Sequence, residues 1–242
     1  MKSDFEMIVR RFDTAVKVYP VADVHFGALS HMTAEWERFC NMIAKDDSAF
    51  VVLNGDLINN NTRSAVGSPF DDTVRPREQK KRMVQYLRPI KDRVLCITSG
   101  NHERRSLKDA DDDPTYDIAA KLDLEDVYRQ DAAFVKLCFG RRGQSGPNKN
   151  KAVATYCFAV THGAGGGIYT GATVNRNERW GNVIDGIDGL IVGHTHKGTV
   201  TRPAKLVVDP QNNRVRVQEY VVISCVAWQN YSGYPLQKML LP

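Results

Sequence analysis

Short apolar, β-branched runs recur along the chain, and each stops at a polar cluster. Val16 to Ala22 runs into Asp23, Phe50 to Leu53 into Gly55-Asp56, and Val94 to Thr98 into Asn101. Tyr156 to Val160 leads to His162, and Leu190 to Val192 to His194. Runs of this length, bounded by glycine and polar residues, read as buried strands. Between the first two, Trp36, Phe39, Cys40 and Ile43 recur at three- and four-residue spacing, the stripe of a helix covering a sheet face. A second helix is expected from Pro76, whose missing N–H costs nothing in a first turn, through Met83, Val84 and Leu87, ending before Pro89. A third, shorter one follows Pro114.

The second half changes character. Phe134 to Phe139, Ala152 to Val160, Val200 to Thr201, Lys205 to Val208 and Val215 to Ser224 read as successive antiparallel strands, with Asp209 to Asn213 as a turn. Strands alternating with helices predict an α/β layered fold, in which ligands gather beyond the carboxyl ends of the strands. The expected architecture is a two-sheet α/β sandwich. With neither an internal repeat nor a long linker, residues 1–242 read as a single domain, long enough to bury a substantial core.

Composition narrows the class without choosing a function. A chain with 42% hydrophobic and 25% charged residues is neither disordered nor fibrous. Its 33 basic and 28 acidic residues leave +5, compatible with polyanionic substrates but demanding none. No stretch approaches the ~18 apolar residues of a membrane span, and the start, Met1-Lys2-Ser3-Asp4-Phe5-Glu6, carries acids where a secretory leader is basic. The expectation is a cytoplasmic protein without membrane partners. Cys40, Cys96, Cys138, Cys157 and Cys225 are odd in number and widely spaced, which fits reduced thiols better than a disulfide framework or a zinc knuckle.

Candidate chemistry lies where the strands end. Five of the six histidines fall within Asp23-Val24-His25-Phe26-Gly27, Gly100-Asn101-His102-Glu103, Thr161-His162-Gly163 and Gly193-His194-Thr195-His196, and Gly55-Asp56 adds a carboxylate. Only His31 stands outside. Two residues apart on a strand end, Asp23 and His25 share one side of the pleat and can grip one ion. Imidazole nitrogen with carboxylate or amide oxygen, and no thiolate, points toward manganese, iron or zinc. Taken singly each motif is an ordinary turn; their conjunction carries the reading.

The ordered set D-x-H, G-D, G-N-H-[ED], H, G-H-x-H resembles the signature of the calcineurin-like metallophosphoesterase superfamily over roughly residues 16 to 200. That resemblance implies an αββα sandwich. It also implies a binuclear centre: Asp23, His25 and His196 on a first metal, Asn101, His162 and His194 on a second, and Asp56 on both. Ions ~3.5–4 Å apart can bind two phosphate oxygens and activate a bridging water as hydroxide. The leaving oxygen then needs a proton. His102, beside Asn101 and close to neutrality in its free pKa, suits a general acid. Glu103 reads either as a partner of His102 or as an exposed loop acid.

The substrate is less legible. Arg63, Arg104, Arg105, Arg176, Arg179 and Lys197 follow motif residues and are candidates to meet a phosphate, as are backbone N–H groups of Gly165-Gly166-Gly167. The most basic stretch, Arg141 to Lys151, precedes the strand that ends at His162; ~9 residues at ~3.3 Å put it about 30 Å from the metals, as an exposed hairpin tip. Protein phosphatases of the superfamily continue the second motif as G-D-x-x-D-R-G, whereas this chain reads Gly55-Asp56-Leu57-Ile58-Asn59-Asn60-Asn61. The missing acid and arginine lower the protein-phosphatase reading, although Arg63 or Arg104 could substitute in space; the expected substrate is a phosphodiester such as nucleic acid or a nucleotide, with a phosphomonoester of protein or small molecule as the alternative. A metal-free interaction scaffold is the rival from another class.

Overall fold

The computed structural model describes residues 5–62, 65, 67, 70, 72–140, 154–167, 169–231 and 236. Two sheets face each other, with helices on the outer faces. In chain order the elements are strand β1 (Ile8–Phe12), β2 (Lys17–Val21), helix α1 (Thr33–Lys45), β3 (Ala49–Asn54), α2 (Pro76–Leu87), β4 (Val94–Thr98), α3 (Glu103–Ala110), α4 (Pro114–Ala120), β5 (Tyr128–Arg129), β6 (Ala132–Phe139), β7 (Ala154–Thr161), α5 (Thr170–Val183), β8 (Gly189–Val192), β9 (Thr199–Thr201), β10 (Ala204–Asp209), β11 (Arg214–Glu219) and β12 (Val221–Ser224).

The first sheet is parallel in the order β2-β3-β4-β5. Its central strands are buried on both faces, which is why Val51 to Leu53 and Val94 to Ile97 are unbroken apolar runs rather than alternating ones. α1 and α4 pack on it through buried Trp36, Cys40, Ile43, Ile118 and Ala119. α4 is capped by Asp113, whose carboxylate accepts from the N–H groups of Thr115 and Tyr116.

The second sheet is mixed, β1-β6-β7-β8-β12-β9. Here alternation reappears: Val160 and Ile191 face the other sheet, while Ala159, Leu190 and Val192 face the smaller core beneath α5. The expected antiparallel strands are present but do not form one continuous run. β6 with β7, β9 with β12, and β10 with β11 are antiparallel, but β8 pairs parallel with both β7 and β12, and β1 pairs parallel with β6. The stretch read as one strand from Val215 to Ser224 breaks at buried Tyr220, so that β11 joins the β10 ribbon and β12 enters the main sheet. The basic segment 141–151 lies outside the described residues. The strand orientation argued around it holds, since β7 runs toward His162.

All five cysteines are free thiols. Among the described residues no helix is long and apolar enough to cross a membrane.

Candidate metal centre

Every motif lies just past the carboxyl end of a strand: Asp23 after β2, Asp56 after β3, Asn101 after β4, His162 after β7 and His194 after β8. The facing sheets therefore deliver all of them to one edge. Asp23, His25, Asp56 and His162 are almost wholly buried.

The donor atoms crowd together. Nε2 of His162 lies 3.0 Å from Oδ1 of Asn101 and 3.3 Å from Oδ2 of Asp56, and Nδ1 of His194 is 2.6 Å from the same Asn101 oxygen. Nε2 of His196 is 3.4 Å from Oδ1 of Asp23 and 3.1 Å from Nε2 of His25, which lies 3.9 Å from both Asp23 and Asp56. Three groups of side chains that could hold a metal ion overlap here: Asp23, His25, His196; His25, Asp56, His102; and Asp56, His162, His194. A divalent cation fits this donor set. Ring nitrogens and carboxylate oxygens converge on one another, and among these rings His162 is oriented from behind by donating Nδ1–H to the carbonyl of Asn54 at 2.8 Å.

Backbone strain accompanies the convergence. Asp23, His25, Asp56, His194 and His196 all have left-handed φ, between 49° and 69°. Non-glycine residues held there cost of order 1–3 kcal/mol each and persist at functional sites where surroundings over-determine them. Gly100 makes the tightest approach, because a Cβ there would lie 2.1 Å from Oδ1 of Asp56.

Electrostatics follow from the crowding. Burial and the neighbouring His102 hold His25 well below the usual imidazole range, and burial with His162 lowers His194. Burial also opposes charge on His162, yet the Asp56 and Asp23 carboxylates outweigh it and raise the ring to about 10. His196 is raised against burial chiefly by Asp23. Burial would raise Asp56, but His162 and His102 hold it well below the usual carboxylate range. Without metal, imidazolium protons occupy the place of cationic charge.

His102 lies at the cluster's edge, its ring centre 4.4 Å from that of His25. Its Nδ1 is 2.6 Å from the carbonyl of Asn59 and 3.2 Å from Nη1 of Arg105. The carbonyl only accepts and the guanidinium only donates, so Nδ1 serves one of them; the shorter contact assigns Nδ1–H to Asn59, with Nε2 turned toward Oδ2 of Asp56 at 3.8 Å. Burial first, and Arg105 after it, lower the His102 pKa against the pull of Asp56.

Glu103 is neither a partner of His102 nor an exposed acid. It is fully buried and accepts three backbone N–H groups, from Asp56, Ile58 and Gly100, stapling the third motif to the second. Burial and Asp56 push its pKa up to about 7.

The arginines divide. Arg105 stands beside His102, with Nη1 3.4 Å from Oδ1 of Asn61. Arg104 pairs with Asp131 and the carbonyl of Gln130, and Arg176 donates to the carbonyl of Gly166. Arg63 lies outside the described residues. Lys197 is buried and Arg179 exposed. Sequence reasoning missed Asn59, Asn60, Asn61, Asp72 and Gln79, a polar group packed behind His102. The signal was Gln79 itself, a polar residue in register with Met83 and Leu87 on the apolar stripe of α2.

No curated protein matches the chain by sequence. The sequence profile of the calcineurin-like phosphoesterases matches residues 16–198, from β2 through the last histidine of the cluster. With the two-sheet sandwich and the Asp/His cluster at its edge, that match makes this chain a member of the calcineurin-like phosphoesterase family of metal-dependent phosphoesterases.

Proposed function

We propose that the chain hydrolyses phosphodiesters, such as nucleic acid or nucleotide esters, with His102 as general acid. The observation that carries this reading is the tethered His102 ring, whose Nδ1 is committed to the Asn59 carbonyl while Nε2 faces the Asp56 carboxylate. Asp23, His25 and His196 would hold one ion, Asn101, His162 and His194 a second, and Asp56 both. Bound there, divalent ions supply Lewis-acid charge and lower the pKa of water, and manganese is the ion we expect, iron or zinc suiting the same donors.

The chain's own residues do the rest. Asp56 accepts the backbone N–H of His102 through Oδ1 at 2.8 Å, which locks the acid to the carboxylate. The burial of Asp23, Asp56 and His162 excludes bulk water and strengthens each charge interaction within. As the imidazolium, with Nδ1–H on the Asn59 carbonyl, His102 passes its Nε2 proton to the leaving oxygen and is left as the neutral Nδ1–H ring, a role worth about 10²–10⁴-fold.

The cation inventory supports a diester. A phosphomonoester brings an additional charge, and its usual clamp, the arginine of G-D-x-x-D-R-G, is absent from Asn59-Asn60-Asn61. Arg104 and Arg176 are engaged elsewhere. Among the described residues, Arg105 beside His102 favours a monoester. Manganese-supplemented hydrolysis of bis-p-nitrophenyl phosphate against p-nitrophenyl phosphate tests the choice. A higher kcat/KM for the diester is expected, and a clear preference for the monoester would overturn the proposal. Absence of bound metal and of both activities would instead favour a scaffold.

A further inference from the structure

The polar group behind His102 touches three motifs at once. Gln79, fully buried on α2, donates from Nε2 to Oδ2 of Asp72 at 2.7 Å and to the carbonyl of Val74 at 2.8 Å, and its Oε1 accepts the backbone N–H of Asn60 at 2.9 Å. The other carboxylate oxygen of Asp72 accepts from both Asn59, at 2.6 Å, and Asn61, at 2.8 Å. Asn60 reaches on to the carbonyl of His102 at 2.8 Å and to the hydroxyl of Ser106 at 2.9 Å. The Gln79 amide also crosses Gly27 so closely that a Cβ there would meet it at 2.3 Å, and Thr73 donates its backbone N–H to the Gly27 carbonyl.

We infer that Asp72 and Gln79 are positioning residues that hold the Asn59 carbonyl against Nδ1 of His102 and so fix which nitrogen of the general acid faces the substrate. This inference rests on the assignment of His102 as the acid.

A carbonyl orients an imidazole only while the peptide that carries it is fixed. The segment Asn59-Asn60-Asn61 belongs to no helix, and the isolated bridge of Phe26 with Ile58 precedes it. The Asn59 N–H is held by the Phe26 carbonyl, but the peptide that follows is held by a side chain, Gln79 accepting the Asn60 N–H, and both flanking asparagine amides converge on one oxygen of Asp72. Asp72 in turn is held by Gln79, on the rigid α2. With the carboxylate replaced by an amide, one of its two acceptor oxygens becomes a donor, so either the Gln79 amide or the pair of asparagine amides faces an N–H, and the Asn59 peptide gains freedom to turn. Nδ1 then has the Arg105 guanidinium as its neighbour, at 3.2 Å, and because a guanidinium only donates, an Nδ1–H facing it has no acceptor and the imidazolium that delivers the Nε2 proton is disfavoured. The network thus decides between two hydrogen-bond states of one ring. It also reaches Arg105, because Asn61, held by Asp72, lies 3.4 Å from Nη1 of that arginine.

The test compares Asp72→Asn and the milder Asn59→Ala with the parent and with His102→Ala, all as the full manganese-loaded chain. Each is assayed on a diester with a p-nitrophenolate leaving group and on one with an alkoxide leaving group. A displaced acid costs most where the leaving group is poor, so kcat for the alkoxide ester is expected to fall about 10-fold or more in both network variants, against less than about 3-fold for the p-nitrophenyl ester, with KM and metal content retained. Histidine ¹⁵N shifts of the metal-free proteins supply a second readout, in which the parent shows His102 as the Nδ1–H tautomer and the variants show a mixture. Equal loss on both esters, or an unchanged tautomer in Asn59→Ala, would overturn the inference. Should Asp72→Asn fail to fold, Asn59→Ala decides alone, since it removes a single side-chain hydrogen bond. If His102→Ala itself shows no leaving-group dependence, the assignment of the acid fails instead, and the two failures are told apart.

Discussion

Replacing Glu103 with alanine tests whether the second and third motifs are held together by a buried carboxylate. The side chain is fully buried and accepts the N–H groups of Asp56, Ile58 and Gly100, each at 3.0 Å. A buried donor left without an acceptor costs about 1–3 kcal/mol, so three orphaned donors predict a loss of about 3–9 kcal/mol. That is a large share of the roughly 5–15 kcal/mol that holds a domain folded. The loss should depend on pH with a definite sign. Because burial and Asp56 raise the Glu103 pKa from 4.5 to about 7, the folded state retains a proton that the unfolded chain releases. Stability from Glu103 is therefore fully present below about pH 4.5 and declines as pH rises through about 7. Urea unfolding of the metal-free parent and Glu103→Ala at pH 5 and pH 8 measures both quantities, with m-values compared to confirm a common transition. A loss below about 1 kcal/mol at pH 5, or a difference that widens toward pH 8, would refute the reasoning.

Gly100→Ala places a Cβ 2.1 Å from Oδ1 of Asp56, so manganese content is expected to fall to near zero, and a fully loaded Gly100→Ala protein would contradict the packing. Metal binding at pH 7.5 should expel at least one proton per chain, because Asp56 and Asp23 raise His162 to about 10 against its burial, and a ligating imidazole must shed that proton. Calorimetry in buffers of different ionisation enthalpy reads the release, and apparent affinity should climb with pH up to about 10; pH-independent binding without release would count against His162 as a ligand. His102→Asn should lower turnover by about 10²–10⁴-fold while metal content is unchanged, and loss of metal along with activity would make His102 a ligand.

The two sheets and the cluster were legible because the same residues announce both. Strands buried on two faces are apolar throughout, and each ends where a candidate ligand begins, so β3 and β4 were marked by their composition and bounded by Asp56 and Asn101. What stayed hidden were elements whose buried face is polar. α3 buries Glu103 and Ser106, and α5 buries Thr173, Asn177 and Gly181, leaving neither with an apolar stripe to detect. The same physics concealed Gln79, Asp72 and Asn59 to Asn61, whose burial is sustained by hydrogen bonds that no local pattern encodes. The pairing order of the second half was hidden for a different reason. A short apolar strand is the same string in either direction, and only the crossovers that join β7 to β8 through α5 make that pair parallel.

Anomalous diffraction from crystals grown with manganese would count and place the ions. Two peaks are predicted at the Asp/His cluster, one touched by Asp23, His25 and His196 and the other by Asn101, His162 and His194, with Asp56 touching both. A single peak at saturating manganese, or Asp56 in contact with only one ion, would contradict the account.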